Sequence, residues 1–513
     1  MLINKDKGVV YIVGAGPGDP NLLTLKAKKV IEIADVILYD RLVNPAILDF
    51  AKSDANKIFV GKEPRKHRYP QEEINKLMLK FSLEGKIVAR LKGGDPYIFG
   101  RGSEEALFLY EHNIPFEVIP GITAGIGAST YAGIPLSHRS LVTQILFLTA
   151  HEDPTKEESQ IDLQNIAKMK NTTIVVYMGA SKVNSFVEEL IRFGFNKDAP
   201  VAVVENATIN QQRTFVDKLE NIPQLVQKEN LAPPLLTIIS PCAEFSNKLN
   251  WFEKRPLFKK RFITTRSLDQ SKELFQLLSE EGAEIIPFPV FQTQGIHYSA
   301  KKLLSYLNYD YDWIIFTSQN GVRYFMENLK KYDLIKYLLK FKIAVLGPNT
   351  AEELSRFNLK PHFMPKSYTS LDFIFDFFTD KNLKKYKILR IKGDFENDPI
   401  TNDLKDLCKE IETLTVYKIS KVQHSEEEVN ALLNSKPDGI IFTASITVKY
   451  FFEILGNTNA TNFLKQIRVF AIGPMTEKEL VRKGIKYVNV SKVHTIKGIV
   501  ELMKDFYTNW QIL

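Results

Sequence analysis

The chain has 513 residues, 44% of them hydrophobic and 25% charged, and its 68 lysines and arginines outweigh 60 aspartates and glutamates to give a formal net charge of +8. This is the composition of a folded protein rather than a disordered one, and the length predicts several domains, each able to bury a core of its own. Only Cys242 and Cys408 are present, which excludes a disulfide framework and a multi-cysteine metal site, and no apolar run approaches the roughly 20 residues of a membrane span.

Residues 1–8 lead straight into the short apolar stretch Val9–Val13, too brief and wrongly flanked for a signal peptide, so with so few cysteines a cytoplasmic protein is expected. Basic and acidic residues alternate along the whole chain. The net charge therefore reads as solvated surface or as attraction for acidic small molecules, and neither nucleic acid nor a membrane is an expected partner.

In chain order, Val9–Val13, Val36–Tyr39, Ile87–Leu91, Phe116–Ile119, Ile145–Leu148, Ile174–Tyr177, Val201–Val204 and Leu235–Ile239 read as strands. Helical patterns such as 21–34 separate them, which predicts parallel βαβ construction. The first strand ends in Gly14-Ala-Gly-Pro-Gly-Asp19, the setting of a dinucleotide-binding loop, and Asp40 follows at the distance of a ribose-binding acid. A nicotinamide-dependent oxidoreductase is therefore one rival. Against it, Asp19 stands where that fingerprint has its third glycine and would repel a pyrophosphate, and Pro17 removes a backbone N–H. Two more glycine-bearing loops follow strands, Arg90-Leu-Lys-Gly-Gly-Asp-Pro-Tyr-Ile-Phe-Gly-Arg-Gly102 and Pro120-Gly-Ile-Thr-Ala124, and three such loops can converge on one pocket.

The rhythm breaks over 246–257 and restarts with a strand at Arg261-Phe-Ile-Thr-Thr265, where the main boundary is expected. Beyond it lies an internal repeat. The segment from Asp312 to Phe325 aligns with that from Asp438 to Phe451, and Ile343 to Thr350 aligns with Val469 to Thr476, both at an offset of 126 residues. Each repeat reads strand, Thr/Ser-bearing turn, helix, strand, Gly-Pro-x-Thr turn, helix, which predicts two similar α/β lobes with ligand-facing strand ends. Two lobes around a cleft would also suit a non-catalytic ligand-binding or sensory protein, the second rival.

In order, Gly14 to Asp19, Tyr39-Asp-Arg-Leu-Val43, Gly61-Lys62, Arg90 to Gly102, Pro120 to Ala124, Gly133-Ile-Pro-Leu-Ser-His-Arg139, Val176-Tyr-Met-Gly179 and Pro200 to Thr208 closely resemble uroporphyrinogen-III C-methyltransferase, a tetrapyrrole methylase. The segment Trp251 to Leu257 followed by Lys260 to Arg266 resembles the entry into uroporphyrinogen-III synthase. That family's Phe-Thr-Ser, Gly-Pro-x-Thr and Val-Tyr elements match Phe316–Ser318, Gly347–Thr350, Gly473–Thr476 and Val416-Tyr417.

The resemblance implies an α/β protein throughout. A tetrapyrrole-methylase fold of two α/β subdomains is expected over 1–245, a linker over 246–257, and over 258–513 a bilobal synthase of two flavodoxin-like α/β lobes. Lobe one would comprise about 258–292 plus 420–513 and lobe two about 293–419. The implied reaction is cyclisation of hydroxymethylbilane to uroporphyrinogen III, then two methylations giving precorrin-2 on the way to sirohaem or cobalamin.

S-adenosyl-methionine, leaving as S-adenosyl-homocysteine, would be touched by Pro17, Gly93, Gly94, Asp95, Ile98, Thr123, Ala124, Met178 and Ala207. Asp40 would accept the proton and Lys62 donate one, unless Lys62 binds a substrate carboxylate instead. Arg41 and Arg101 are candidates for the substrate's carboxylates. The synthase half needs no cofactor and no metal; Tyr417 would assist departure of the hydroxyl, with Thr317, Ser318, Thr350, Thr443, Ser445 and Thr476 as polar contacts. A homodimer through the methyltransferase half is expected as well.

Overall fold

The computed structural model describes residues 8–52, 54–61, 69–150, 160–179, 182–266, 271–365, 370–379, 383–394 and 399–509. The chain divides into two compact units, one of Met1–Lys260, Leu277–Glu284 and Lys504–Leu513, the other of Arg261–Gln276 and Ile285–Met503.

The first unit contains two five-stranded sheets. Strands β1 (Val10–Gly14), β2 (Val36–Tyr39), β3 (Asn56–Phe59), β4 (Val88–Lys92) and β5 (Phe116–Ile119) form a wholly parallel sheet in the order β3-β2-β4-β1-β5. Alternate residues serve two separate cores: Val13, Ile37, Ala89 and Leu91 face one, and Val10, Ile12, Leu38 and Val88 the other. That double burial explains why these strands read as continuous apolar runs.

The second sheet, β6 (Gln144–Thr149), β7 (Thr172–Tyr177), β8 (Pro200–Glu205), β9 (Arg213–Lys218) and β10 (Leu235–Ile239), has the order β6-β7-β10-β8-β9. Here the expected parallel construction is corrected. Only β6 and β7 run parallel, while β10 is antiparallel to both β7 and β8, and β8 is antiparallel to β9. The chain turns back directly from β8 through 206–212 into β9, a short connection that only antiparallel neighbours permit.

The helix Ala124–Tyr131 packs on this second sheet, with Ala128 and Ala132 against Val175, Ala202, Val204 and Ile238. Its small residues are required for that closeness. A Cβ on Gly127 would collide with Pro17, and one on Gly125 with the Tyr177 hydroxyl.

The segment expected as a linker is packed. Ser246 Oγ donates to the Ala132 carbonyl at 2.7 Å, Trp251 Nε1 to the Thr130 carbonyl at 3.0 Å, and the Trp251 and Phe252 rings lie 5.0 and 4.8 Å from that of Tyr131. Arg255 covers both rings. The first unit also takes in residues beyond position 257. The Leu257 N–H donates to the Glu281 carbonyl, the Glu284 N–H to the Lys260 carbonyl, and Lys504 pairs with Glu281 at 2.8 Å.

The second unit is bilobal. Its strands are β11 (Arg261–Thr264), β12 (Glu284–Pro287), β13 (Phe291–Gly295), β14 (Trp313–Phe316), β15 (Lys342–Val345), β16 (Lys387–Gly393), β17 (Glu410–Lys421), β18 (Gly439–Phe442), β19 (Arg468–Ala471) and β20 (Asn489–Val490). Lobe one has the order β12-β11-β18-β19-β20, which in chain order is the 2-1-3-4-5 arrangement of flavodoxin-like sheets.

Lobe two has β13-β17-β16-β14-β15, the same four-strand core entered at a different point, with β13 added antiparallel at the edge of β17. The 126-residue repeat corresponds to the adjacent parallel pairs β14–β15 and β18–β19. Each pair is followed by matching helices, Gln319–Lys330 and Pro348–Ser355 in one lobe, Ser445–Leu455 and Pro474–Arg482 in the other.

Candidate active sites

Loops from the carboxyl ends of β1, β4 and β5 are tied into one body. The N–H groups of Gly16 and Gly94 donate to each other's carbonyls at 3.2 and 2.7 Å, Ala15 N–H donates to Lys92 O at 2.8 Å, and Asp95 Oδ2 accepts the Gly121 N–H at 3.0 Å. Gly94 holds φ near +70°, a conformation that costs a side-chain-bearing residue free energy. A Cβ on Gly121 would strike both Gly94 O and Gly14 Cα.

The loop after β1 spends most of its amides internally. Ala15 and Gly16 are bonded as described, Pro17 has none, and the Asp19 N–H donates to Thr208 Oγ1 at 3.1 Å. A pyrophosphate would find no free row of donors there, which argues against the nicotinamide rival. Asp19 itself caps Pro20–Leu22 and accepts the Tyr131 hydroxyl at 2.8 Å. Burial first, then the Asp19 charge, raises the pKa of that phenol, so it remains a donor.

The second sheet meets these loops through Tyr177. Its hydroxyl accepts the Gly125 N–H and shares a hydrogen bond with Thr123 Oγ1, both at 2.8 Å, and its ring lies 5.0 Å from Phe99. Met178 follows at φ +54° and is 48% exposed, while Ile98 is 38% exposed. Ala207 approaches from the 206–212 turn, its carbonyl lying 3.2 Å from where a Cβ on Gly18 would stand. The expected residues Pro17, Gly94, Asp95, Ile98, Thr123, Ala124, Met178 and Ala207 thus belong to segments in mutual contact, and Gly93 adjoins Leu42. Exposed apolar side chains beside a carboxylate suit an uncharged base and a sulfonium. This lining fits S-adenosyl-methionine better than a phosphorylated ligand.

Asp40 opens the turn after β2. Its Oδ1 accepts the Leu42 N–H at 3.1 Å, and Oδ2 is 3.7 Å from Arg90 Nη2. Behind it lies a cluster that sequence reasoning missed. Fully buried Glu105 accepts from Arg90 Nε at 3.1 Å, Lys92 Nζ at 2.9 Å and Gln71 Nε2 at 3.0 Å through a single oxygen, Oε1. Burial raises the Glu105 pKa, but the Arg90 and Lys92 charges outweigh it and hold the carboxyl below its ordinary range. Burial, followed by the Arg90 charge, lowers Lys92.

The signal was present: two cations at i and i+2 within an otherwise apolar buried strand must share one face and need an acid there. Arg41 is exposed, and Arg101, also exposed, is held by Glu104 at 2.6 Å. Lys62 lies outside the described residues, as do the neighbouring cations at 65, 66 and 68.

In lobe two, Tyr417 is buried and its hydroxyl shares a 3.2 Å hydrogen bond with Ser318 Oγ, which also caps the helix Gln319–Lys330. Burial raises this phenol's pKa. Arg390 Nη2 donates to Thr317 Oγ1 at 3.4 Å, and Gln319 reaches the Asn349 carbonyl beside Thr350. In lobe one, Ser445 Oγ donates to the Met475 carbonyl at 3.2 Å, which brings the turn holding Thr443 to the turn holding Thr476.

Residues 9–223 match the family model of tetrapyrrole (corrin/porphyrin) methylases, and residues 272–501 that of the uroporphyrinogen-III synthase HemD. The chain is 33% identical over 504 residues to the porphyrin biosynthesis protein HemD of Ruminiclostridium josui, covering 98% of each chain. It is 37% identical over 349 residues to the uroporphyrinogen-III C-methyltransferase of Bacillus subtilis (strain 168), covering 68% of this chain and 71% of that protein. Among solved structures, the uroporphyrin-III C-methyltransferase of Thermus thermophilus complexed with S-adenosyl homocysteine aligns at 38% identity. That alignment has a TM-score of 0.40 and covers 46% of this chain and 99% of the other.

Proposed function

The chain belongs to the tetrapyrrole methylases through its N-terminal half and to the uroporphyrinogen-III synthases through its C-terminal half, and from this we propose a bifunctional enzyme that cyclises hydroxymethylbilane to uroporphyrinogen III and methylates that product twice, giving precorrin-2. The observation that carries the reading is the presence in one chain of both constellations, the three-loop site near Asp40 and the Thr/Ser strand ends around Tyr417.

S-adenosyl-methionine supplies an electrophilic methyl group. The protein's own task is to orient the pyrrole carbon and remove its proton, and Asp40 is the proposed acceptor. Uroporphyrinogen has eight carboxylates, which Arg41 and Arg101 are suited to hold. In the synthase half, the C–O bond of the hydroxymethyl group breaks and the hydroxyl leaves as water. A buried Tyr417 that stays protonated can give that hydroxyl a hydrogen bond or proton, while the lobes hold the flexible substrate folded.

Incubating the full chain with hydroxymethylbilane, with and without S-adenosyl-methionine, tests the whole reading. Cyclic uroporphyrinogen III should form in both mixtures and dimethylated product only in the complete one. Tight NAD binding without S-adenosyl-homocysteine binding would overturn it in favour of an oxidoreductase, and ligand capture without turnover would favour a sensory protein.

Two variants probe the assigned residues. Tyr417→Phe should lower the cyclisation kcat by about 10²-fold, the low end for a lost proton donor. Its melting temperature should fall little, because the ring that fills the site remains; a large fall with unchanged kcat would reduce Tyr417 to packing. Gly121→Ala should cost about 1–3 kcal/mol by overpacking the junction of the three loops. Calorimetry should show S-adenosyl-homocysteine binding lost while bilane cyclisation persists.

The methyltransferase half is also the proposed dimer contact. Leu107 and Tyr110, one turn apart on the helix Gly102–Glu111, are 61% and 64% exposed. Light scattering that gives a monomer mass would remove this assignment. Among the described residues, no helix is long and apolar enough to cross a membrane.

A further inference from the structure

The two central strands of lobe one end in polar groups left unsatisfied within the protein. Thr264 closes β11, Thr443 follows β18, and Ser271 precedes the helix Lys272–Glu280. All three are buried, and their hydroxyl oxygens have no hydrogen-bond partner among the described residues. Arg266 has the same character at its Nε, which is sealed and unpartnered although part of the side chain remains accessible. Burial lowers its pKa.

Thr264, Arg266 and Thr443 are related by register. β11 and β18 are parallel, with Thr264 opposite Ile441, and the Thr265 hydroxyl fixes the strand ends by donating to the Ile441 carbonyl at 3.1 Å. Arg266 and Thr443 each stand two residues further along, at matching positions just beyond the ends of the two parallel strands.

The internal repeat supplies an independent observation. Arg390 of β16 lies opposite Ile315 of β14, and Ile315 is the repeat counterpart of Ile441. Arg390 therefore occupies in lobe two the register position that Thr264 has in lobe one. Its Nη2 is 3.4 Å from Thr317 Oγ1, and Thr317 is the counterpart of Thr443. Lobe two thus sets an arginine by the threonine that ends the adjoining strand, and in lobe one Arg266 stands two residues beyond the corresponding position.

A guanidinium does not shed its proton in proteins, and a buried N–H donor left without an acceptor costs free energy. Natural chains keep such a group where a ligand completes it. A planar fork of N–H donors together with unpartnered hydroxyls is a donor set that a carboxylate fills. We propose that Arg266, with Thr264, Ser271 and Thr443, binds one side-chain carboxylate of the linear or cyclised tetrapyrrole in lobe one. This rests on the synthase reading of the C-terminal half.

The test uses the full chain carrying Arg266→Met. The KM for hydroxymethylbilane should rise at least tenfold with a smaller change in kcat, while the melting temperature holds or rises because an unpaired buried donor has gone. Arg266→Lys, which keeps the charge but not the fork, should fall between. Methylation of supplied uroporphyrinogen III in the same preparations should match wild type and reports on the folded state of the chain.

An unchanged KM in an active Arg266→Met protein overturns the pocket alone. A lowered melting temperature or insolubility also overturns it, since the guanidinium would then serve the fold. Absence of cyclisation by the wild-type chain overturns the synthase reading itself, and the pocket with it.

Discussion

Asp40→Asn is expected to slow methylation of uroporphyrinogen III by about 10²–10⁴-fold, the usual range for a lost general base. Asparagine keeps the oxygen that accepts the Leu42 N–H, so the turn after β2 should persist. The amide cannot take a proton from the substrate carbon. S-adenosyl-homocysteine affinity should stay near wild type, since Asp40 belongs to a different segment from the three tied loops, and bilane cyclisation should be untouched. Single-turnover methylation beside a thermal melt separates the outcomes. Full activity would show that another group takes the proton, and unfolding would make Asp40 a turn residue only.

The largest stability effect is expected from Glu105→Leu. The substitution leaves Arg90, Lys92 and the Gln71 amide facing a buried site without their shared acceptor, and breaking a buried ionic cluster in this way costs about 3–5 kcal/mol. For a domain of this size, that corresponds to a fall of the melting temperature on the order of 10 °C. The pH dependence has a definite sign. Because the folded-state pKa of Glu105 is depressed, its contribution is fully present above the unfolded carboxylate value of about 4.3 and is lost as pH falls through the folded value. Wild type should therefore lose stability in acid more steeply than the variant. Parallel acid limbs would mean that Glu105 titrates no differently in the two states.

Much of this architecture could be read from the chain because its strands are short apolar blocks separated by glycine loops. The strands of the first unit that were missed, β3 and β9, are edge strands whose residues are at most partly buried, so their patterns carry little periodic signal. The antiparallel pairing of the second sheet was hidden for a different reason. Its inner strands are buried along nearly their whole length and look the same whichever way they run.

At the methyltransferase site, the loop residues were legible through glycine spacing, whereas Tyr177 was not. Its role arises from meeting Thr123 and Gly125 more than 50 positions away. Glu105 likewise acquires meaning only from the faces of β4 that it covers. Residues 246–257 looked like a break because they lack regular periodicity, yet Trp251 and Phe252 are held by ring contacts with Tyr131 rather than by helix or strand pattern.

The strand order of lobe one sets a schedule for its synthesis. The first strand of that sheet pairs with β18, and the Arg261 N–H donates to Asp438 Oδ2 across 177 positions. Every residue of lobe two is translated in between. At roughly 5–20 residues per second, β11 emerges from the ribosome about 10–35 s before its central partner exists. During that interval lobe two, which contains all its own strands, can complete its sheet first. The emerging Phe262 and Ile263, both destined for full burial, must wait unpaired, and the closed lobe two then shortens the loop that β11 and β18 have to bridge. Nascent chains arrested before residue 439 should accordingly show a protease-resistant lobe two while β11 is still open to cleavage.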